Sequence, residues 1–434
     1  MIQTLDLRGS HLTRAELLAR VPRAQVDIGA AVSRVEPLIA DVRERGSVAL
    51  VDQAERFDGV RPSHVRIPPE RIQDALTNLP PEVKRALLES INRVQQATAA
   101  QVPPERVTTL ATGATVTQRW SPVSRVGLYV PGGKAVYPSS VVMNVVAAQV
   151  AGVEHIALAS PAQREFSGEV HPTILAAAAL LGITEVYAMG GAGAIAALAY
   201  GVADIELEPV DVITGPGNVF VAAAKRVVNG VVGIDAEAGT TEIVIIADAT
   251  AVPDFVASDL ISQAEHDEAA ASVLITDSPD LAEAVRASLQ RLVPVTGNRD
   301  RVVAALGGPQ SAIILVDDSD MAVAVSNAYG PEHLELHTAH NATLVSQIRN
   351  AGAIFVGPYS PVSLGDYIAG SNHVLPTGGS ARYTSGLGAY AFLRAQQIVE
   401  YSADALRDVQ LPVVALAEAE QLPGHGDAVT IRFS

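Results

Sequence analysis

From about residue 125 the chain settles into one rhythm, and that rhythm limits the fold more than any other feature. Short β-rich runs alternate with longer Ala/Val-rich stretches of helical spacing. Runs at 126–130, 155–159, 185–189 and 210–214 read as strands, with helices expected at 140–152, 172–182, 193–200 and 219–228. A second series places strands at 243–247, 272–276, 312–316 and 353–356, and helices near 253–266, 280–291, 321–329 and 342–351. Strand, helix and strand in turn, joined by short Gly/Pro/Asn connectors, is the mark of a parallel sheet covered on both faces. The expectation is an α/β protein with two Rossmann-like parallel-sheet units, spanning 121–238 and 239–380.

A length of 434 residues suits more than one such unit. Residues 1–120 read as a helical N-terminal region, with apolar spacing at 26–44, 47–56, 69–78 and 81–101, expected to pack on the second α/β unit. After about residue 357 the pattern gives way to Gly, Ser and Tyr, followed by helices near 390–401 and 411–420. The stretch 381–434 has little core of its own and is expected to be a small tail that docks on a partner subunit.

Several functional classes fall away on composition. The formal charge is −17 with acidic residues spread along the chain, so nucleic-acid phosphates have no electrostatic footprint to bind. The absence of cysteine removes disulfides, thiolate metal sites and a cysteine nucleophile together. The stretch 186–203 approaches spanning length, but Gly190, Gly191, Gly193 and Gly201 divide it into strand, turn and packed helix. The opening residues MIQTLDLRGSHLTR lack the parts of a signal peptide, which places the expected location in the cytoplasm.

Five segments carry chemistry. Gln263 and His266 lie three apart on an expected helix opened by Pro253, so both can reach one ion. Alone, such a pair is usually solvated surface. In Gly330-Pro331-Glu332-His333-Leu334, a turn set by Gly and Pro is expected to turn Glu332 and His333 into one cavity as general base and proton shuttle. The Gly-rich loop from Gly365 through Asp366 to Asn372 and His373 offers a hard oxygen ligand in Asp366, and Glu420 with His425 lies near the C-terminus. Read singly, these are turn and tail residues. The GPGN turn at 215–218, before an Ala/Val-rich helix, bares backbone amides that suit an anionic or cofactor group. Gly191, Gly193 and Ala196 fit a dinucleotide glycine pattern only weakly and are read chiefly as close packing, while PGGK at 131–134 is too short for a Walker-type loop.

Taken in order, VPGGK at 130–134, GGAGAIAALAYG at 190–201, GPGN at 215–218, SQAEH at 262–266, GPEHL at 330–334 and GDYIAGSNHVLPT at 365–377 resemble the histidinol dehydrogenase family over more than half the chain. The resemblance implies zinc- and NAD-dependent oxidation of L-histidinol to L-histidine through the aldehyde, with two NAD molecules reduced. It implies one Zn2+ per subunit held by Gln263, His266, Asp366 and His425, and an acid/base pair in Glu332 and His333. Substrate contacts carry over to Thr241, Gln263, His266, His333, Asp366, Glu420 and His425, with Thr241 standing where many relatives have serine. NAD contacts carry over to Tyr129 and Asn218, whereas Gly193 occupies a position that is glutamine in the family. The family's homodimer would complete each site with the neighbour's Glu420 and His425. The competing expectation is a related zinc and NAD enzyme for another small alcohol, such as a sulfonated diol.

Overall fold

The computed structural model describes residues 2–24, 27–132, 136–237 and 239–434. Gly133 and Lys134 of the VPGGK run, and the start of the helix expected from residue 26, lie outside the described residues.

The N-terminal part contributes strands β1 (Gln3–Asp6), β2 (Arg106–Ala111) and β3 (Ala114–Pro122). The first expected series forms β4 (Arg125–Tyr129), β5 (His155–Ser160), β6 (Glu185–Ala188), β7 (Val212–Thr214) and a short β8 (Gly233–Ile234). The second forms β9 (Glu242–Ala247), β10 (Ala271–Thr276), β11 (Ala312–Leu315), β12 (His333–His337) and β13 (Ala353–Val356), and β14 (Leu393–Tyr401) closes the count among the described residues.

Two parallel sheets result, in the orders β6-β5-β4-β7-β8 and β1-β11-β10-β9-β12-β13. Leaving aside the edge strand β1 of the second sheet, each series runs 3-2-1-4-5, so each has a switch point where the order reverses: between β4 and β7, and between β9 and β12. Strands covered on both faces are mostly apolar, and every residue of β9 and β10 is buried.

The N-terminal helices do not pack on the second unit as expected. Ala31, Val35, Ile39, Val42, Ala49 and Leu50, from helices Ile28–Arg45 and Ser47–Phe57, share a core with Tyr129, Ala157 and Ile195 of the first unit. Ile72, Leu87, Ile91 and Val94, from helices Pro69–Thr77 and Pro81–Ala99, join the core around Val141 and Ile174 on its other side. The reason lies in the helices they cover. Pro138–Ala151 and Gly191–Tyr200 are apolar nearly all round, so the sheet's own helices need an outer layer. Among the described residues of the N-terminal part, β1 and helix Arg14–Arg20 pack into the second unit's core, Arg23 pairs with Glu242, and Ser90 Oγ donates to the Tyr367 carbonyl.

Two other expectations change. Residues 106–122 are not helical but form a hairpin, and 393–401 is a strand rather than a helix; β14 pairs antiparallel along the whole of β3. The stretch from 381 is therefore not wholly without a core, because Leu387, Ala389 and Phe392 are buried in the first unit's interior. No described helix is long and apolar enough to cross a membrane.

Candidate active site

At the C-terminal edge of the first sheet, at its switch point, lies a cavity of about 1080 Å³ lined by Tyr129, Gly132, Gly190, Gly191, Asn218 and Phe220 among others. Helices Gly191–Tyr200 and Val219–Val228 both begin on its wall, which brings the N-terminal ends of two helices to one space. The GPGN turn is fixed by close approach: a Cβ on Gly215, at φ +117°, would lie 1.9 Å from the Tyr129 carbonyl oxygen. Buried Lys225 pairs with Asp235 at 2.6 Å, and Asp235 accepts from the Gly215 N–H at 2.8 Å. Asn218 caps its helix by accepting from the Phe220 and Val221 N–H groups, which leaves its amide protons for a ligand.

Both cofactor contacts expected from sequence, Tyr129 and Asn218, thus line one cavity. The glycine pattern does more there than the sequence reading allowed. Gly191 lines the cavity and donates its N–H to the Tyr129 hydroxyl at 3.2 Å. Gly193 is a packing position as expected, but against the helix Ser47–Phe57: a Cβ there would meet Gln53 Oε1 at 2.6 Å and Leu50 at 3.2 Å.

The second cluster of sequence-predicted residues gathers at the opposite kind of edge. Gly330, at φ +61°, ends helix Ser319–Tyr329, and with Pro331 it turns the chain so that Glu332 enters β12 and His333 is its first residue. His333 stands beside Ile243 in register, so Thr241, Glu242, Glu332 and His333 meet where β9 and β12 begin. The Glu332 carboxylate accepts from the Thr241 hydroxyl at 2.6 Å and from the Glu242 N–H at 2.9 Å. Thr241 Oγ1 in turn accepts from Gln263 Nε2 at 2.6 Å. Burial is the main cause that pushes Glu332 up to about 7, with the Thr241 hydrogen bond opposing it.

His333 is equally enclosed. Its Nδ1 lies 3.2 Å from the Glu242 carbonyl oxygen, and a carbonyl can only accept, so the proton sits on Nδ1 and the lone pair on Nε2. Burial holds its pKa below the usual histidine value, which keeps the ring neutral and basic.

Gln263 and His266 come from the end of helix Pro253–Ala264 and the residues just after it. His266 Nδ1 donates to the Ser262 carbonyl at 3.2 Å, leaving Nε2 as the free lone pair. Gln263 is 2 % exposed and its Oε1 has no hydrogen-bond partner. A buried amide oxygen without a donor is costly, and a cation resolves it. Asp366 is not on a loop, as expected, but on the short helix Val362–Tyr367, from which its charge acts on Glu332 and His333. His373 anchors that helix by donating Nδ1–H to the Asp366 carbonyl at 2.9 Å, and its Nε2 lies 3.0 Å from Ser140 Oγ of the first unit.

A glycine permits this approach, since a Cβ on Gly365 would lie 2.5 Å from Cε1 of Phe355. Gly365→Ala is expected to cost about 1–3 kcal/mol by overpacking and to displace Asp366. Denaturant unfolding and turnover check this together; unchanged values in both would reject the role.

Glu420 and His425 are not brought to this cluster within one chain. Both are exposed, on helices Gln410–Ala419 and Pro423–Thr430 or their ends, and their hydrogen bonds are local. The sequence reading missed the supports of the site. Glu242 is 1 % exposed, pushed up to about 7 chiefly by burial, and held by Arg23 at 3.2 Å and by the Tyr329 hydroxyl at 3.1 Å. Arg23 also lies 3.7 Å above the Tyr329 ring.

Known proteins resemble the chain from end to end. A family model described as histidinol dehydrogenase matches residues 21–433. The histidinol dehydrogenase of Leifsonia xyli subsp. xyli is 65 % identical over 432 residues, covering 100 % of this chain and 99 % of its own, and that of Thermobifida fusca is 57 % identical over 433 residues, covering 100 % and 98 %. A crystal structure of histidinol dehydrogenase from Elizabethkingia anophelis superposes with a TM-score of 0.92 at 31 % identity, covering 99 % of this chain and 98 % of that one. With relatives this similar over its full length, the chain belongs to the histidinol dehydrogenase family, NAD-dependent oxidoreductases of histidine biosynthesis.

Proposed function

We propose that this chain oxidises L-histidinol to L-histidine in two successive NAD-linked steps, with Glu332 and His333 as its acid/base pair and a zinc ion at Gln263, His266, Asp366 and His425. The observation that supports this most directly is the relay from Gln263 through Thr241 to Glu332, because it ties an orphaned buried amide oxygen to a carboxylate of raised pKa. The donor set is amide, imidazole and carboxylate without sulfur, which suits an ion that also accepts substrate nitrogens. When bound, zinc would orient and polarise the substrate, and NAD would accept the hydride in each half of the reaction.

His333 Nε2, its lone pair fixed by the Glu242 carbonyl, takes the hydroxyl proton as the alcohol carbon loses hydride. Glu332 then takes a proton from the water that adds to the aldehyde, and the resulting hydrate loses the second hydride to give the acid. With no cysteine in the chain, a thiohemiacetal on the enzyme is not an available route. Tyr129 and Asn218 contact NAD in the cavity of the first unit, and Thr241 positions both the carboxylate and the substrate.

The protein acts as a homodimer in this reading, with Glu420 and His425 supplied by the second copy and Glu420 meeting the substrate's ammonium. The exposed apolar residues of the tail support it, since Leu411 is 81 % and Leu416 65 % exposed in a single chain. The expected site of action is the cytoplasm.

One assay tests the whole reading: purified protein with L-histidinol and NAD, counting NADH per substrate consumed. About two NADH per histidinol, lost on chelation and restored by zinc, is the expected result. Turnover of another alcohol with none of histidinol would replace it.

A further inference from the structure

Alternate residues of a strand share a face, so the side of β12 that carries His333 also carries Glu335 and His337, while Leu334 and Leu336 join the core behind it. Asp259, one turn before Gln263 on helix Pro253–Ala264, meets them. His337 Nε2 lies 3.4 Å from Glu335 Oε2 and 3.8 Å from Asp259 Oδ2, and one ligand atom from each residue falls within 4.8 Å of the others. Glu335 is fully buried and His337 is 5 % exposed.

The hydrogen bonding is incomplete in a telling way. Glu335 Oε1 accepts from the Val362 N–H at 2.8 Å, but Oε2 and both ring nitrogens of His337 have no partner. Among the described residues, no Lys or Arg forms an ion pair with Asp259 or Glu335. Burial, the charge of Glu335 and a side-chain hydrogen bond with it push Asp259 up to about 8. Two carboxylates and an imidazole facing one point are a complement for a doubly charged ion.

We propose that Asp259, Glu335 and His337 form a second divalent-cation site, separate from the Gln263–His266–Asp366 set. Ligand atoms held about 2.0–2.2 Å from one tetrahedral ion lie about 3.3–3.6 Å from each other, close to the separations found here. Two hard oxygens and one imidazole suit Zn2+ or Mn2+ rather than Ca2+. The site joins the three elements that carry the catalytic groups: the helix that ends at Gln263, the strand that begins at His333, and the segment at Val362 that opens the helix of Asp366. Its ion is a clamp behind the active site and takes no part in the reaction.

The test is metal stoichiometry. Full-length protein is stripped with chelator, dialysed against Zn2+ and separately Mn2+, and the bound ion is counted per chain for wild type, Asp366→Asn, His337→Asn and Asp259→Asn. Roughly two ions per chain are expected for wild type and one for each variant, and loss of the second ion is expected to lower the melting temperature. Wild type with one ion that is lost in Asp366→Asn and kept in His337→Asn overturns the second site and leaves the catalytic zinc standing. One ion kept in Asp366→Asn and lost in His337→Asn supports the new site and removes the zinc assignment instead. If His337→Asn does not fold, Asp259→Asn gives the same reading, since it removes a ligand nearer the surface.

Discussion

In Glu332→Gln, oxidation of the aldehyde is expected to fall by about 10²–10⁴-fold, the usual worth of a positioned general base, while oxidation of the alcohol persists at a much larger fraction of its rate. The substitution keeps the shape and one acceptor oxygen for Thr241 and the Glu242 N–H, so the relay to Gln263 can survive it. What it removes is the site for water's proton. Supplying the aldehyde directly and following NADH isolates that half of the reaction. The pH profile gives a second reading of the same group. Burial raises Glu332 to about 7 from 4.5, and only its ionised form can accept a proton, so aldehyde oxidation should decline as the pH drops through about 7. That acidic limb should be missing from the residual rate of the variant. Full aldehyde oxidation in Glu332→Gln with slowed alcohol oxidation would reverse the roles of the two residues.

Mixing two proteins that each fail to oxidise the aldehyde is expected to restore that half of the reaction. Glu332→Gln disables the body of the site and His425→Ala disables the tail, and if the tail reaches a neighbour, a mixed dimer holds one site in which both parts are intact. Equal amounts, dissociated and randomly reassociated, should recover about a quarter of the wild-type rate of aldehyde oxidation from two samples nearly silent in that step. The effect is large because the background is small. The structure motivates it: within one chain His425 is exposed and makes only local hydrogen bonds, while Gln263, His266 and Asp366 sit together elsewhere. Mixtures that stay silent would mean that each tail serves its own chain.

The two parallel sheets were legible because their strands are buried on both faces and read as mostly apolar runs. β12 was hidden for the opposite reason. Its sequence HLELH alternates with polar side chains and follows a Gly-Pro turn, so only the turn was visible, although the alternation of Leu334 and Leu336 was a usable signal. β14 contains strong helix formers in LRAQQIVEY, and pairing with β3, which lies more than 270 residues earlier, overrides that preference. Residue types at Gln263, His266, Glu332, His333 and Asp366 suggested chemistry, but their order of action did not follow from types alone. The tautomer of His333 depends on the Glu242 carbonyl, and the orphaned oxygen of Gln263 depends on Thr241 taking its amide protons. Such partners are tens of residues apart, and spacing along the chain carries no trace of them.

The first sheet opens its cavity beyond the C-terminal ends of β4 and β7, whereas Glu332 and His333 sit at the entry to β12. Their backbone is already committed to the ladder with β9, so as the proposed bases they are stationary and the reactants must come to them. In a two-step oxidation this separates what has to be replaced from what has to be kept. In the proposed reaction, spent dinucleotide would be exchanged at the cavity of the first sheet while the half-oxidised carbon stayed at Glu332 and His333, so a reactive aldehyde would not need to be released into solution.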